Sequence, residues 1–308
     1  GSGAWWEQPG SYSCDTLSGT LACGTDSWTP ARIVQRDSLG ARDLEAIGDD
    51  VLLATRGRSL VSVDVSNPDS PVILDTQGTV SDAWDLDMDG SLVAVASGGR
   101  IRLIDAETPS DLVEISSYGA CGKAMAVEIV EDRAYHLTRL GLGVTDISDP
   151  ANPVLVRFAW IVPTWSGGWD AIDLDPAICD LFSRDEDALW WTIPNCLGSG
   201  IRPLEVDEGV AYISFFRHLL AIGVTEDTPF EILGTLQWGS RIEALRYDEG
   251  EVCANLAWGG TSIVDVADPS SMAPVGTHDL RDWVSGVEFG WTRSYRLTGS
   301  KIEVALAW

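Results

Sequence analysis

Lysine is almost missing from this chain of 308 residues: Lys123 and Lys301 are the only two, and arginine supplies the rest of the 20 basic side chains. Against them stand 47 acids, a formal charge of −27, which disfavours nucleic acid and anionic membrane as general partners. No apolar run is long enough to cross a bilayer, so membrane insertion is not expected. No CxxC spacing, GxSxG elbow or phosphate loop occurs. The three histidines, His136, His218 and His278, lie far apart in the chain, which argues against a copper or zinc centre. No cofactor is expected.

What is abundant is a repeat. The stretch GVTDISDPANPVLV (143–156) recurs as VSVDVSNPDSPVIL (61–74), RLIDAETPSDLVEI (102–115), IGVTEDTPFEIL (222–233) and SIVDVADPSSMAPV (262–275). Its turn prolines Pro68, Pro109, Pro150, Pro194, Pro229 and Pro269 fall at steps of 41, 41, 44, 35 and 40 residues. A period near 40 without helical periodicity predicts a propeller of four-stranded blades. Each repeat opens on an alternating run such as WDLDM (84–88), then turns at an acidic or glycine pair such as Asp89-Gly90 or Glu131-Asp132. Two further strands precede the Asp/Pro turn, where an Asp or Asn side chain satisfies local N–H groups and proline ends the ladder.

Repeats at 41–80, 81–121, 122–166, 167–199, 200–239, 240–280 and a partial one at 281–308 predict an all-β, seven-bladed propeller with blade four degenerate. The strand ARIVQRDSLG (31–40) is expected to supply the last blade's missing strand, closing the ring and removing its edges. Residues 1–30 read as a cysteine-stapled N-terminal extension, and 31–308 as the propeller domain. The turns DVSNP, DISDP and DVADP, between a Val/Ile-Asp strand and a Pro-Val/Leu strand, resemble the LVIVD repeat family of bacterial secreted and surface propellers. That resemblance implies the fold and an extracellular setting, and no reaction. Trp84-Asp85 and Trp169-Asp170 open first strands, unlike the WD of WD40 repeats, which ends a third strand.

The repeat also sorts loops by face. Turns between strands one and two, and three and four, collect acids. Loops between strands two and three, and between blades, collect cations: Arg56, Arg58, Arg100, Arg139, Arg217 and Arg293, then Arg42, Lys123, Arg202, Arg241 and Arg281. Trp84, Trp165, Trp169 and Trp283 belong to that cationic side. Arginine grips carboxylate or sulfate in two-pronged fashion, and indole offers a flat platform. Arg42, Trp84, Trp165, Trp169, Arg202, Arg217, Arg241 and Trp283 are therefore the candidate ligand residues. The bland alternative is that these tryptophans pack the core and the arginines pair with nearby acids.

The function expected is a non-catalytic binding propeller, with an acidic polysaccharide or small anionic ligand as partner, or another surface protein. The alternatives are a polymer-acting lyase or hydrolase at the same channel mouth, with His218 or a channel carboxylate as its base, and a structural interaction module. Asp85, Glu128, Asp173, Glu205, Glu243 and Glu288 are expected to face the channel, as a polar lining rather than an acid–base pair. Asp146/Asp149 and Asp265/Asp268 each offer one carboxylate pair, short of the roughly six to eight oxygens of a calcium site.

Six cysteines fit an oxidising compartment. Cys14–Cys23 and Cys179–Cys196 are the expected disulfides, while Cys121 and Cys253 have no assigned partner. A secreted, periplasmic or cell-surface location follows, with lipid anchoring through a preceding segment as one route. Gly1-Ser2-Gly3 reads as an appended remnant or as the start of a processed chain.

Overall fold

The alternating runs become strands throughout. The computed structural model describes residues 41–67, 70–179, 203–215, 217–225, 228–248, 250–256, 260–278, 292–298 and 301–306, together with 13–15 and 22–24. Near the amino end, Ser13–Asp15 (β1) pairs with Ala22–Gly24 (β2), which sets Cys14 opposite Cys23 as that disulfide requires. The first four-stranded antiparallel sheet holds Ala41–Ile47 (β3), Val51–Arg56 (β4), Ser59–Asp64 (β5) and Val72–Gly78 (β6). The second holds Ala83–Asp89 (β7), Leu92–Ser97 (β8), Arg100–Asp105 (β9) and Val113–Gly119 (β10).

The third sheet has five strands: Ala124–Val130 (β11), Arg133–Thr138 (β12), Gly141–Asp146 (β13), Val154–Pro163 (β14) and Trp169–Leu174 (β15). Leu204–Asp207 (β16), Val210–Phe215 (β17), His218–Gly223 (β18) and Glu231–Gln237 (β19) make the fourth. Ile242–Asp248 (β20), Glu251–Leu256 (β21), Gly260–Asp265 (β22) and Ala273–His278 (β23) make the fifth. A hairpin of Thr292–Thr298 (β24) and Lys301–Leu306 (β25) follows.

The turns form as the sequence demands. Gly48, Gly90, Glu131, Glu208, Gly209 and Gly250 take left-handed φ where first and second strands meet. In the Asp/Pro turns, Asp64, Asp105, Asp146 and Asp265 each accept the backbone N–H two residues on, at 2.9–3.0 Å. Those carboxylates brace the turn locally.

The core lies between sheets, face against face. Leu53 and Leu60 of the first pack with Leu86, Val93, Val95 and Ile104 of the second. The second meets the third through Ala96, Ile101, Val127 and Ile129. Leu137, Leu142 and Ile161 of the third pack directly with Val206, Ile213, Phe215 and Ile222 of the fourth. Tyr212 and Leu219 of the fourth meet Ile242, Val252 and Val264 of the fifth. Full burial of each such aliphatic chain contributes roughly 1.5–3 kcal/mol.

Two expectations change here. The stretch assigned to blade four does not begin a separate sheet: β15 pairs with the extended β14, Phe158 opposite Leu174 through Pro163 opposite Trp169. The first strands of the third and fourth sheets, β11 and β16, touch directly. The rest of that stretch, from 180 to 202, and the strand at 31–40 lie outside the described residues. Second, Cys179 bonds to Cys121, not to Cys196. The 3-10 turn Pro176–Ile178, capped by Asp175, carries Cys179 back against Cys121 and Phe158 in a small apolar cluster. Cys196 lies outside the described residues.

Candidate functional site

The backbone bears out the sorting of loops. Ala83 N–H donates to the Gly57 carbonyl and Ala124 N–H to the Gly98 carbonyl, both at 2.7 Å, so each hairpin of second and third strands sits beside the next sheet's entrance. On the opposite side Val65 bonds to Asp50, Ala106 to Ser91, Ile147 to Asp132, Val224 to Gly209 and Val266 to Gly250. Turns of strands one–two and three–four thus share a face.

On the cationic face, three successive sheet entrances converge. The Arg42 guanidinium lies 3.9 Å from the Trp84 ring centre and the Lys123 ammonium 4.4 Å from it. Arg42 also donates to the Ala83 carbonyl and pairs with Asp82, both at 3.2 Å. Arg58 donates to the Val80 carbonyl, and Arg100 to the Ser117 carbonyl at 2.6 Å and its hydroxyl at 3.2 Å. Gln237, with its amide oxygen turned toward Arg217, accepts from it at 2.8 and 2.9 Å. Arg58, Arg100 and Arg217 are thus steadied by neutral oxygens, and among the described residues none of the three forms an ion pair.

A second group forms where β15 returns. The Trp169 ring packs 5.1 Å from Phe215 and 5.4 Å, edge on, from His218. Burial lowers the His218 pKa, and adjacent Arg217 adds to this. Trp165 stands fully exposed (108%) on the tip between β14 and β15. That tip is tightly hydrogen-bonded: Thr164 N–H to Gly168 O at 2.9 Å, and Gly168 N–H to Thr164 Oγ1 at 3.0 Å. The structure therefore brings Arg42 to Trp84 and Trp169 to His218, the chain neighbour of Arg217, with Trp165 standing apart. Arg241 is half-buried at the start of the fifth sheet. Arg202 and Trp283 lie outside the described residues.

The acids of the first strands do something the sequence reading did not find. Five of them reach across a seam to the backbone of the next sheet's first strand. Asp43 accepts from Leu86 N–H at 3.0 Å, Asp85 from Val127 at 2.8 Å and Asp87 from Ile129 at 2.6 Å. Glu205 accepts from Tyr247 N–H at 3.2 Å, and Glu128 takes the Val206 N–H. A first strand ends its sheet, so its outward N–H groups need acceptors that no ladder supplies. Asp173 departs from its expected place: on β15 it faces Arg157 at 3.4 Å and Phe230 N–H at 3.3 Å. Nothing is described of the Glu243 side chain, and Glu288 lies outside the described residues.

Burial raises these carboxyls. Asp87 moves to about 6. Glu205 rises to about 7, burial outweighing the pull of Arg246, whose guanidinium lies 3.8 Å away. Asp85 and Glu128 are also raised, by burial first, then by Asp43 and Glu205 respectively. Burial alone would depress Arg246, but Glu205, Glu45, Glu128 and Asp87 together raise it.

The repeat can now be set beside known proteins. The LVIVD repeat matches residues 40–77, 121–158 and 254–279. The chain carries LVIVD repeats. The first two matched segments cover most of the first sheet and β11–β14, and the third covers most of β21–β23. No curated protein matches the sequence. Among solved structures, the Cps50 (Swd1) β-propeller domain from Myceliophteria thermophila aligns at a TM-score of 0.53 with 14% identity, over 78% of this chain and 72% of that one. The extracellular domain of a hybrid two-component system from B. thetaiotaomicron aligns at 0.52 with 11% identity, over 87% of this chain and only 32% of that one. The WD40 repeats of RRP9 align at 0.50 with 9% identity, over 90% of each chain. These likenesses establish a propeller-like repeat fold. Among the described residues no helix is long and apolar enough to cross a membrane, and the disulfide is consistent with an extracellular setting.

Proposed function

We propose that this LVIVD-repeat chain is a non-catalytic extracellular binding propeller that takes an anionic ligand, such as an acidic polysaccharide, on its cationic face. The observation that carries the reading is the Arg42–Trp84–Lys123 stack. Three consecutive repeats place two cations on one indole, in a protein of net charge −27 that otherwise repels anions. Arg58, Arg100 and Arg217 extend the positive rim, and Trp165, apart from them, offers a fully exposed ring on the hydrogen-bonded β14–β15 tip. The alternative of a polymer-cleaving enzyme is weakened by the first-strand acids, whose oxygens already serve backbone amides.

We further infer a closed ring of six blades. Strand β3 lies against β7, β7 against β11, β11 against β16, β16 against β20, β20 against β24, and β24 against β3. That cycle of first strands supports six members, with β15 an addition to the third blade, in place of the seven read from the repeat count. The first strands then line a central channel, and residues 1–30 remain an extension to a propeller at 31–308.

The ligand reading is tested with polygalacturonate and heparin as probes, and a neutral glucan as control. Binding to the acidic probes is expected to weaken as salt rises. Arg58→Ser with Arg100→Ser, and separately Trp165→Ser, should each weaken it about tenfold, or roughly 1.4 kcal/mol, without unfolding the protein. Absence of binding to every acidic probe at low salt refutes the proposal.

A further inference from the structure

The first strands carry six acids and one described cation on facing surfaces: Asp43 and Glu45 on β3, Asp85 and Asp87 on β7, Glu128 on β11, Glu205 on β16 and Arg246 on β20. In the last hairpin, Arg296 holds the register position that Arg246 holds on β20. We infer that this set of carboxyls is a proton-loaded lock on the seams between sheets: it holds protons in the closed fold, and losing them as the surroundings turn neutral to alkaline loosens the inner strands. The inference rests on contacts between neighbouring strands and is independent of the ligand reading.

Geometry requires the protons. Asp85 and Asp43 are within hydrogen-bonding reach of each other, and two carboxyl groups bonded together must share a proton. Glu128 and Glu205 repel one another, and one Glu128 oxygen is buried without a hydrogen-bond donor among the described residues. Arg246 offers a single positive charge against Glu45, Asp87, Glu128 and Glu205. Full ionisation would leave several desolvated negative charges facing each other across the seams they are meant to join. A protonated carboxyl keeps its carbonyl oxygen, so it still accepts the N–H of the neighbouring strand.

The sign follows from linkage. Asp87 and Glu205, shifted to about 6 and 7, bind protons more tightly folded than unfolded. Their contribution is fully present below the unfolded carboxylate range and is lost as pH rises through the folded values. Asp64, Asp146 and Asp268 are shifted the other way by hydrogen bonds from Ser66, Ser148 and Ser270. Their contribution is lost only as pH falls below about 4, outside the window in which the inner acids titrate.

Thermal unfolding of the full chain at pH 5, 6, 7 and 8, at constant ionic strength, tests the lock. Tm should fall by roughly 5 °C between pH 5 and 8. Glu128→Gln and Asp87→Asn, which imitate the protonated acids, should each flatten that slope. Hydrogen exchange at the Ile129 and Val206 amides, corrected for intrinsic rate, should lose protection over the same range in the parent protein. A Tm that is flat or rises from pH 5 to 8 overturns the inference, as does an unchanged slope in both variants. If Glu128→Gln does not fold, the slope of Asp87→Asn decides alone.

Discussion

Asp87 on β7 accepts the Ile129 backbone N–H on β11 at 2.6 Å, across the seam between the second and third sheets. The two residues lie 42 positions apart, one repeat, and the same step separates Asp85 from Val127 and Glu205 from Tyr247. A side chain of one repeat thus completes the backbone of the next, at the edge where a twisted sheet has no further strand. Apolar packing between sheet faces is non-directional, whereas these bonds fix how far one sheet slides along its neighbour.

Asp87→Ala should therefore cost far more than Asp87→Asn at pH 7. Alanine leaves the Ile129 N–H without its acceptor, a loss of about 1–3 kcal/mol. Asparagine keeps an oxygen at that place and adds no charge. Urea unfolding midpoints compare the two variants. Equal midpoints would mean that the bond has no structural weight.

Much of the fold could be read from residue order. The 41-residue step of Pro68, Pro109 and Pro150 gives the module, and acidic or glycine pairs such as Asp89-Gly90 give its hairpins. The cationic face also follows from counting strands, because hairpins and blade entrances alternate between two sides. What could not be read is pairing between distant segments. WDAIDL at 169–174 alternates just as WDLDMD does at 84–89, so local pattern cannot reveal that it joins the sheet before it. Cysteine spacing is equally mute, and Cys121 meets Cys179 only because β15 folds back. The carboxylate braces did leave a trace in the pairs Asp43 and Asp85, spaced by 42 residues, and Asp87 and Glu128, spaced by 41. Reading it would have required asking what satisfies the amides on a first strand's outer edge.

The disulfide loop encloses the whole third sheet and pins the added strand. Its Cα atoms lie 58 residues apart in sequence, so loop closure in the unfolded chain predicts a stabilisation of about 4 kcal/mol. Cys121→Ser with Cys179→Ser should lower stability by up to that amount. Exchange protection should drop first at the β14–β15 amides, because β15 has only β14 beside it in the sheet. Uniform loss of protection across all sheets would show that β15 is not held locally by the bridge.

His136 and Gly143 form a fitted pair in the same sheet. They lie opposite each other on β12 and β13, and His136 is completely buried, its pKa lowered to about 4 by desolvation. A methyl group at position 143 would clash with the His136 ring at Nε2, and that fully buried ring would have to shift within its packing to make room. Gly143→Ala should destabilise by about 1–3 kcal/mol through overpacking. His136→Ala should also destabilise, through the cavity it leaves. The double variant should be more stable than the sum of the two losses predicts, since the added methyl occupies part of the vacated space. A double-mutant cycle in urea measures that coupling. Strict additivity would mean that the two side chains do not compete for one volume, and that Gly143 is required there for its backbone alone.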